Sequence, residues 1–439
     1  MAHRSAKATA DVCGRRVILV LASLAQFVVL LVVYSVGALA PLLRDSLHLS
    51  REQIGSLTAL FFIGAIPASI PVGWLADRLG VRGCLIAVQM VSGLAVAAIP
   101  LLYTYRAFLA VMFLAGMGNG TVMVLTNKAL YDWFPRERLA TAMGTKFFAI
   151  SFAGIVAGTA MPALALWVGW RQAFAVVGGL TLASAFSALL LYRDQPKDGP
   201  SPASLPASAG RRVRCLDRGF WCLAIVGFLF AGAQFSFITY LALFLHETWG
   251  VPLALAAGPL ALAQAGASAS RVPYGWVSDH WLKGERTPLL RGMGVLAMAA
   301  LLALLLMPKG TSPLVLSAVI LLFGMSGLSW GGLYSTLAAE RAGRAAAGVG
   351  LGIASTFFQV GSTVTPFLFG YLADVTGAYT ASWGLLVLWL LLGVGLLGWV
   401  QTSPVMREAP AGPHPLPQPG MRLWSVCLGA AVMVWFQAS

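Results

Sequence analysis

Twelve long apolar segments dominate the chain and restrict what it can fold into more than any other feature. A helix needs about 20 predominantly apolar residues to cross the hydrocarbon core of a bilayer. We therefore predict an all-α membrane protein with twelve transmembrane helices. The predicted spans are 17–39, 54–75, 83–103, 107–129, 142–166, 173–192, 219–244, 253–277, 288–307, 313–337, 347–370 and 381–401.

The composition excludes a soluble protein of this length. Hydrophobic residues make up 59% of the 439 positions and charged residues only 10%, whereas a soluble domain carries about 25% charged residues. The net charge of +14 raises the question of nucleic acid. The basic residues flank apolar spans and do not form a stripe, so the expected partner is the lipid bilayer and not nucleic acid.

A polar segment rich in Pro and Ser divides the spans into two groups of six. It is typical of a flexible linker. The predicted organisation is an N-terminal segment, a first six-helix bundle, a linker, a second six-helix bundle and a Pro-rich tail with a short apolar segment. Their respective ranges are 1–16, 17–192, 193–218, 219–401 and 402–439.

The distribution of Lys and Arg predicts the orientation, because cytoplasmic loops are enriched in both. Most loop cations lie on the side that carries the termini and the linker. We therefore predict a multi-pass protein of the plasma (inner) membrane with both termini, the linker and the tail in the cytoplasm. The loop cations predicted on the outer side are few: Arg44, Arg51, Arg106, Arg171 and Lys309.

A short motif occurs twice. Pro71-Val72-Gly73-Trp74-Leu75-Ala76-Asp77 is repeated as Pro273-Tyr274-Gly275-Trp276-Val277-Ser278-Asp279, with Pro, Gly, Trp and Asp at the same spacing. An internal repeat of this kind indicates two related halves, as in many secondary transporters.

The first copy resembles the loop signature of the major facilitator superfamily, Gly-x-x-x-Asp-Arg-x-Gly-x-Arg between helices 2 and 3. The second copy is degenerate and falls between helices 8 and 9, where that family has it. The resemblance covers roughly residues 15–402 and implies two pseudo-symmetric six-helix bundles that work by alternating access. The residues that carry it are Gly73, Asp77, Arg78, Gly80 and Arg82.

The resemblance also implies a gate on the cytoplasmic side, in which the signature loops hold the two halves together. Surface ion pairs are individually weak, about 0–1 kcal/mol, so such a gate can open. The alternative for these residues is a pair of solvated loops. The predicted gating residues are Asp77, Arg78, Arg82 and Asp279, with Glu137, Arg138, Glu340 and Arg341 as a second layer.

In the family, helices 1, 4, 7 and 10 line a central cavity. Spacings of four and eight place Ser326, Trp330 and Tyr334 on one face of a continuous helix 10. Hydrogen bonding between helices is the alternative role for such side chains. The cavity residues predicted to bind substrate are Tyr34, Asn119, Gln234, Trp330 and Tyr334.

Lys146 and Arg271 are cations within predicted spans, where charge indicates function. The family places helices 5 and 8 side by side, so two cations there repel unless an anion lies between them. Arg271-x-x-x-Gly275-x-x-x-Asp279 resembles helix 8 of monocarboxylate transporters, whose matching Arg holds the substrate carboxylate. The alternatives are a Lys146 that snorkels to the interface and an Arg271 that bonds backbone carbonyls.

These features predict a secondary active transporter of a small organic anion, of the monocarboxylate or aromatic acid type. A second possibility is an exporter of amphipathic neutral compounds, and a third is a transport-inactive sensor or scaffold. Nitrate is less favoured, because Ser69 occupies the position of a second Arg in nitrate transporters. Met112 replaces the Arg of the family's helix 4 motif, which leaves proton coupling open.

No pattern typical of an enzyme, cofactor or metal site occurs, and the cysteines are scattered without metal-ligand spacing. We therefore expect a monomer that binds a small-molecule substrate and no cofactor.

Overall fold

The computed structural model describes residues 2–134, 136–192, 217–252, 255–282, 285–342 and 347–400, and these ranges contain helices and no strand. We call residues 2–192 the first half and residues 217–400 the second half. The first half contains α1 (Ala2–Ala38), α2 (Ala40–Leu47), α3 (Arg51–Leu79), α4 (Val81–Ala97), α5 (Tyr105–Trp133), α6 (Arg136–Val168) and α7 (Trp170–Leu191). The second half contains α8 (Arg218–Trp249), α9 (Gly258–His280), α10 (Thr287–Leu306), α11 (Pro313–Gly327), α12 (Gly331–Ala342), α13 (Ala347–Thr376) and α14 (Thr380–Leu396).

The twelve predicted spans are confirmed as helices, with α11 and α12 together forming the tenth. Eight segments of the described chain are long and apolar enough to cross a membrane on those grounds alone. The other four spans are α3, α9, α13 and the 17-residue α14. Helix α1 begins at Ala2, well before the predicted start of the first span. Most of the linker and the tail from residue 401 lie outside the described residues.

Helix packing has the same order in both halves. In the first half α1 packs on α6, α3 on α5 and α4 on α7; in the second half α8 packs on α13, α9 on α11 and α10 on α14. Between the halves α3 contacts α13, α6 contacts α9 and α1 contacts α8. This correspondence is the pseudo-symmetry that the repeated motif predicts.

Local sequence determines where the helices that carry functional residues begin and end. Ser50 and Gln53 form a capping box at the start of α3, each side chain accepting a hydrogen bond from the other's backbone N–H. Asp217 caps α8 by accepting a hydrogen bond from the Phe220 N–H at 2.8 Å. Helix α8 ends at Gly250, which adopts a left-handed conformation at φ 67°.

Charged clusters occupy the two ends of the bundle. We call the end with Arg44, Arg51, Glu247, Asp374 and Tyr379 the Arg51 face. We call the end with Arg82, Asp217, Arg286, Glu340 and Arg341 the linker face. The long apolar spans run between the two faces.

Candidate functional site

Lys146 lies on α6 and is fully enclosed by protein, with 0% of its surface exposed. Its Nζ donates a hydrogen bond to Asn127 Oδ1 at 2.6 Å and lies 3.6 Å from the Met123 sulfur, both on α5. Asn119 is half-buried two turns before Asn127 on the same helix. An ammonium has three N–H donors and a thioether is a weak acceptor, so Lys146 retains donor capacity. A snorkelling side chain would instead reach water.

Arg271 lies on α9 and joins the two halves through main-chain carbonyls. Its Nη1 donates to the Phe147 oxygen at 2.9 Å, and its Nη2 donates to the Leu328 oxygen at 3.2 Å. Phe147 belongs to α6 in the first half, and Leu328 lies between α11 and α12 in the second. Arg271 therefore has the carbonyl partners that the sequence analysis considered as an alternative.

The two cations share one region but are held by different partners. Phe147, which binds Arg271, directly follows Lys146 in α6, whereas the Lys146 ammonium is directed at α5. Among the described residues neither cation forms an ion pair with a carboxylate. A charge removed from water is costly without a counter-charge. The region therefore carries buried positive charge that an anion would neutralise.

Tyr34 is a predicted cavity residue that interacts electrostatically with Arg271. It is 2% exposed, stacks on Phe235 with ring centroids 6.5 Å apart, and lies close to both Arg271 and the Gln264 amide. Tyr34 therefore links the two halves, since it belongs to α1 of the first half while Phe235, Gln264 and Arg271 belong to α8 and α9 of the second.

Gln234, Trp330 and Tyr334 form a group within the second half. The Trp330 Nε1 donates to Gln234 Oε1 at 2.9 Å, and the Tyr334 hydroxyl donates to the Ala354 carbonyl at 3.3 Å. The rings of Trp330 and Tyr334 are 5.1 Å apart. In this conformation these side chains make the interhelical bonds that the sequence analysis named as their alternative role.

The predicted span 313–337 is present, as part of an apolar segment from Pro313 to Ala342, but it is not one continuous helix. The chain leaves helical geometry at residues 328–330, between α11 and α12, so Ser326 and Trp330 do not lie on one helical face. Tertiary hydrogen bonds replace the helical ones there: Ser329 Oγ bonds Ser270 Oγ at 2.6 Å and lies 3.2 Å from the Ala267 carbonyl. The interruption leaves the Leu328 carbonyl available to Arg271.

The Arg51 face contains a charged network that joins the halves. Arg51 Nη2 lies 2.8 Å from Glu247 Oε2, and Arg44 pairs with the same carboxylate. The Tyr379 hydroxyl donates to Glu247 Oε2 at 3.0 Å. Burial raises the pKa of Tyr379 to about 12, so its phenol remains a neutral donor. Both partners of the central ion pair are largely buried, with Arg51 17% and Glu247 15% exposed.

Asp374 extends this network by capping a helix of the other half. Its carboxylate accepts hydrogen bonds from the backbone N–H groups of Arg51 at 3.1 Å and Glu52 at 2.8 Å. A carboxylate at a helix N-terminus also interacts favourably with the helix dipole. The Tyr240 hydroxyl donates to the Arg51 carbonyl at 2.6 Å and lies 2.9 Å from the Pro366 carbonyl oxygen. The halves are thus closely joined at the Arg51 face.

Three of the predicted gating residues form bonds within their own halves. Glu340 pairs with Arg286 at 2.8 Å, Arg341 pairs with Asp217 at 2.9 Å, and Arg82 donates to the Leu189 carbonyl. Within the described side chains, every ion pair between the halves lies at the Arg51 face. The side chains of Asp77, Arg78, Glu137, Arg138 and Asp279 lie outside the description, so a gate between halves stays a prediction.

Sequence reasoning missed the Arg51 network and the helix interruption. A signal for the network was present, because the scarce outer cations Arg44 and Arg51 can be matched with acids at other helix ends, Glu247 and Asp374. The interruption has a weaker signal in Gly327 and Gly331, which flank it.

A family model described as Major Facilitator Superfamily matches residues 22–366. A protein from Cupriavidus necator, named "Probable sulfoacetate transporter SauU", is 26% identical over 412 residues, which cover 89% of this chain and 94% of the relative. The Homo sapiens protein named "Monocarboxylate transporter 11" is 28% identical over 367 residues, which cover 79% of this chain and 74% of the relative.

The helix arrangement also matches a solved structure. A bacterial homologue of the human lysosomal transporter Spinster, crystallised in an inward-facing and occupied conformation, superposes with a TM-score of 0.74 at 16% identity. The match covers 88% of this chain and 96% of that chain, and it shows a shared fold.

Proposed function

The chain belongs to the Major Facilitator Superfamily of membrane transporters, and from this premise we propose that it carries small organic anions by alternating access. The observation that supports this proposal is the pair of cations within spans, of which Lys146 is fully buried and Arg271 partly buried. Lys146 and Arg271 lie within spans, and no described carboxylate pairs with either. Two relatives named for sulfoacetate and monocarboxylate transport support the same class of substrate.

Arg271 binds the carboxylate by exchanging partners. Its fork of N–H donors fits two carboxylate oxygens better than two separate carbonyls, and a charge-assisted bond is about twice as strong as a neutral one. When the substrate arrives, Arg271 leaves the Phe147 and Leu328 carbonyls. The substrate thereby removes a direct bond between the halves and adds the negative charge that the site lacks. Lys146 supplies further positive potential from the first half.

Alternating access then requires two conformations, each with one face of the bundle closed and the other face open. We propose that the Arg51 face is the outer face and the linker face is cytoplasmic, with both termini inside the inner membrane. The Arg51 network closes the outer face in this conformation. Asp77, Arg78, Arg82, Asp279, Glu137, Arg138, Glu340 and Arg341 are proposed to close the cytoplasmic face in the opposite conformation. The protein works as a monomer.

A counterflow assay in proteoliposomes tests this function. Proteoliposomes that contain the purified protein are loaded with one unlabelled acid from a panel of carboxylates and sulfonates. Entry of the same acid in labelled form is then followed with and without a pH gradient. Exchange of at least one acid is expected, and acceleration by the gradient would indicate proton coupling. Exchange of neutral amphipathic compounds alone would favour an exporter, and no exchange of any compound would favour the sensor or scaffold.

A further inference from the structure

The contact between α6 and α9 contains more polar groups than carboxylate binding by Arg271 requires. We call this contact the α6–α9 seam and define it by Phe147, Ser151 and Gly154 on α6 and Gln264 and Arg271 on α9. The helices approach so closely that a Cβ atom on Gly154 would collide with the Gln264 amide. The Gln264 side chain therefore lies flat against the backbone of the other half.

Two polar atoms in the seam have no hydrogen-bond partner among the described residues. They are Ser151 Oγ and Gln264 Nε2, on side chains that are 0% and 1% exposed. Buried polar groups are nearly always paired, since each unpaired group lowers stability.

Ser151 Oγ lacks the hydrogen bond that a helical hydroxyl usually makes, because Arg271 binds the carbonyl that would accept it. Helical hydroxyls in this chain usually donate to the carbonyl four residues earlier, as Thr126, Thr181 and Ser326 do at 2.7–2.9 Å. The corresponding carbonyl for Ser151 is that of Phe147, which Arg271 occupies. Ser151 and Arg271 thus compete for one acceptor, and Ser151 is left with a free hydrogen.

Gln264 lies on the same helix as Arg271, seven residues earlier, which is a rise of about 10 Å. Tyr34 lies close to both side chains, and Ser151 is one helical turn from Phe147, whose carbonyl binds Arg271. The seam therefore offers donors from Ser151 and Gln264 in addition to the two N–H groups with which Arg271 can hold a carboxylate.

We propose that Ser151 and Gln264 form a second subsite, which binds an oxygen substituent on the carbon chain of the acid held by Arg271. This inference rests on the proposed function and narrows its substrate class to oxygenated carboxylates, in preference to plain alkyl acids. The substituent oxygen accepts hydrogen bonds from Ser151 Oγ and Gln264 Nε2. Both residues are specificity-determining, since they contact a part of the substrate that plain acids lack.

Matched pairs of acids test the proposal by counterflow in proteoliposomes. Lactate is compared with propionate and malate with succinate, so that each pair has equal charge. The wild type should prefer the oxygenated member. Ser151→Ala and Gln264→Leu should each reduce that preference about tenfold, the equivalent of one hydrogen bond of about 1.4 kcal/mol. Gln264→Glu, which keeps the shape but removes the N–H donor, provides a second variant if Gln264→Leu fails to fold.

Ser362→Ala is the control, because Ser362 is equally buried but already donates to the Phe358 carbonyl at 2.9 Å. Its preference should equal that of the wild type. Equal transport of both members of each pair by the wild type, or an unchanged preference in folded Ser151 and Gln264 variants, would overturn the second subsite while leaving anion transport intact. Failure to carry any acid would overturn the proposed function itself.

Discussion

At the scale of single residues, buried charge is the most informative feature of this chain. Lys146 and Arg271 are visible in the sequence because a cation within an apolar span is rare. Backbone carbonyls were one of the partners considered for Arg271, but the particular carbonyls of Phe147 and Leu328, and Asn127 as the partner of Lys146, were not predictable, because only helix packing brings them together. Sequence thus located the charges, and the structure shows what holds them.

Lys146→Met should impair anion transport without unfolding the protein. The substitution keeps the length of the side chain but removes the charge, and it leaves Asn127 Oδ1 without its donor at a cost of about 1–3 kcal/mol. Acid exchange should fall at least tenfold while the helical content is unchanged, as measured by counterflow and circular dichroism. Lys309→Met, on an exposed loop, is the control. Normal exchange by Lys146→Met would remove Lys146 from the site.

At the scale of helices, the number and approximate positions of the spans could be predicted because apolar length is a local property. The interruption at residues 328–330 could not, because bonds from Ser270 and Gln234 to Ser329 and Trp330 produce it. The pairing of α6 with α9 was expected from the family architecture, and the structure confirms it. The sequence analysis did not identify Ser151 and Gln264 as side chains that lie in the contact between these two helices.

Gly55→Ala should hinder closure of the Arg51 face. A Cβ atom at Gly55 would collide with the Pro366 carbonyl oxygen and the Tyr240 hydroxyl, so α3 must move away from α13 and α8. A cysteine introduced near Thr58 should then become more accessible to a membrane-impermeant reagent from the Arg51 side. Gly179→Ala is the control, because nothing lies within 4 Å of its added Cβ. Equal labelling of both variants would contradict close packing at Gly55.

At the scale of the whole molecule, the ion pairs of the described side chains that join the two halves lie at one face of the bundle. The described pairs between the halves all involve the Arg51 face, whereas those on the linker face stay within the second half. The repeated motif predicted two halves, but sequence does not show which face is closed, because each face carries charges able to pair. Conformation is decided by contacts between residues far apart in the chain, such as Arg51 and Glu247.

Glu247→Gln should shift the protein toward a conformation open at the Arg51 face. The substitution keeps the shape but removes the charge that Arg44 and Arg51 share, and each charged hydrogen bond contributes about 1.5–3 kcal/mol. Spin labels on the two halves at this face should show a longer distance. Asp45→Asn, an exposed acid on the same face, should leave the distance unchanged. An unaltered distance in Glu247→Gln would mean that the network does not hold the face closed.

The central claim is that an organic anion is carried on Arg271, whose departure from two carbonyls affects both halves at once. Counterflow of the acid identified from the panel, compared between the wild type, Arg271→Lys and the exposed control Arg106→Lys, tests it most directly. Lys keeps the charge but cannot form the bidentate fork, so half-saturation of Arg271→Lys should require at least a tenfold higher acid concentration, while Arg106→Lys matches the wild type. Wild-type half-saturation in a folded Arg271→Lys variant would contradict the claim.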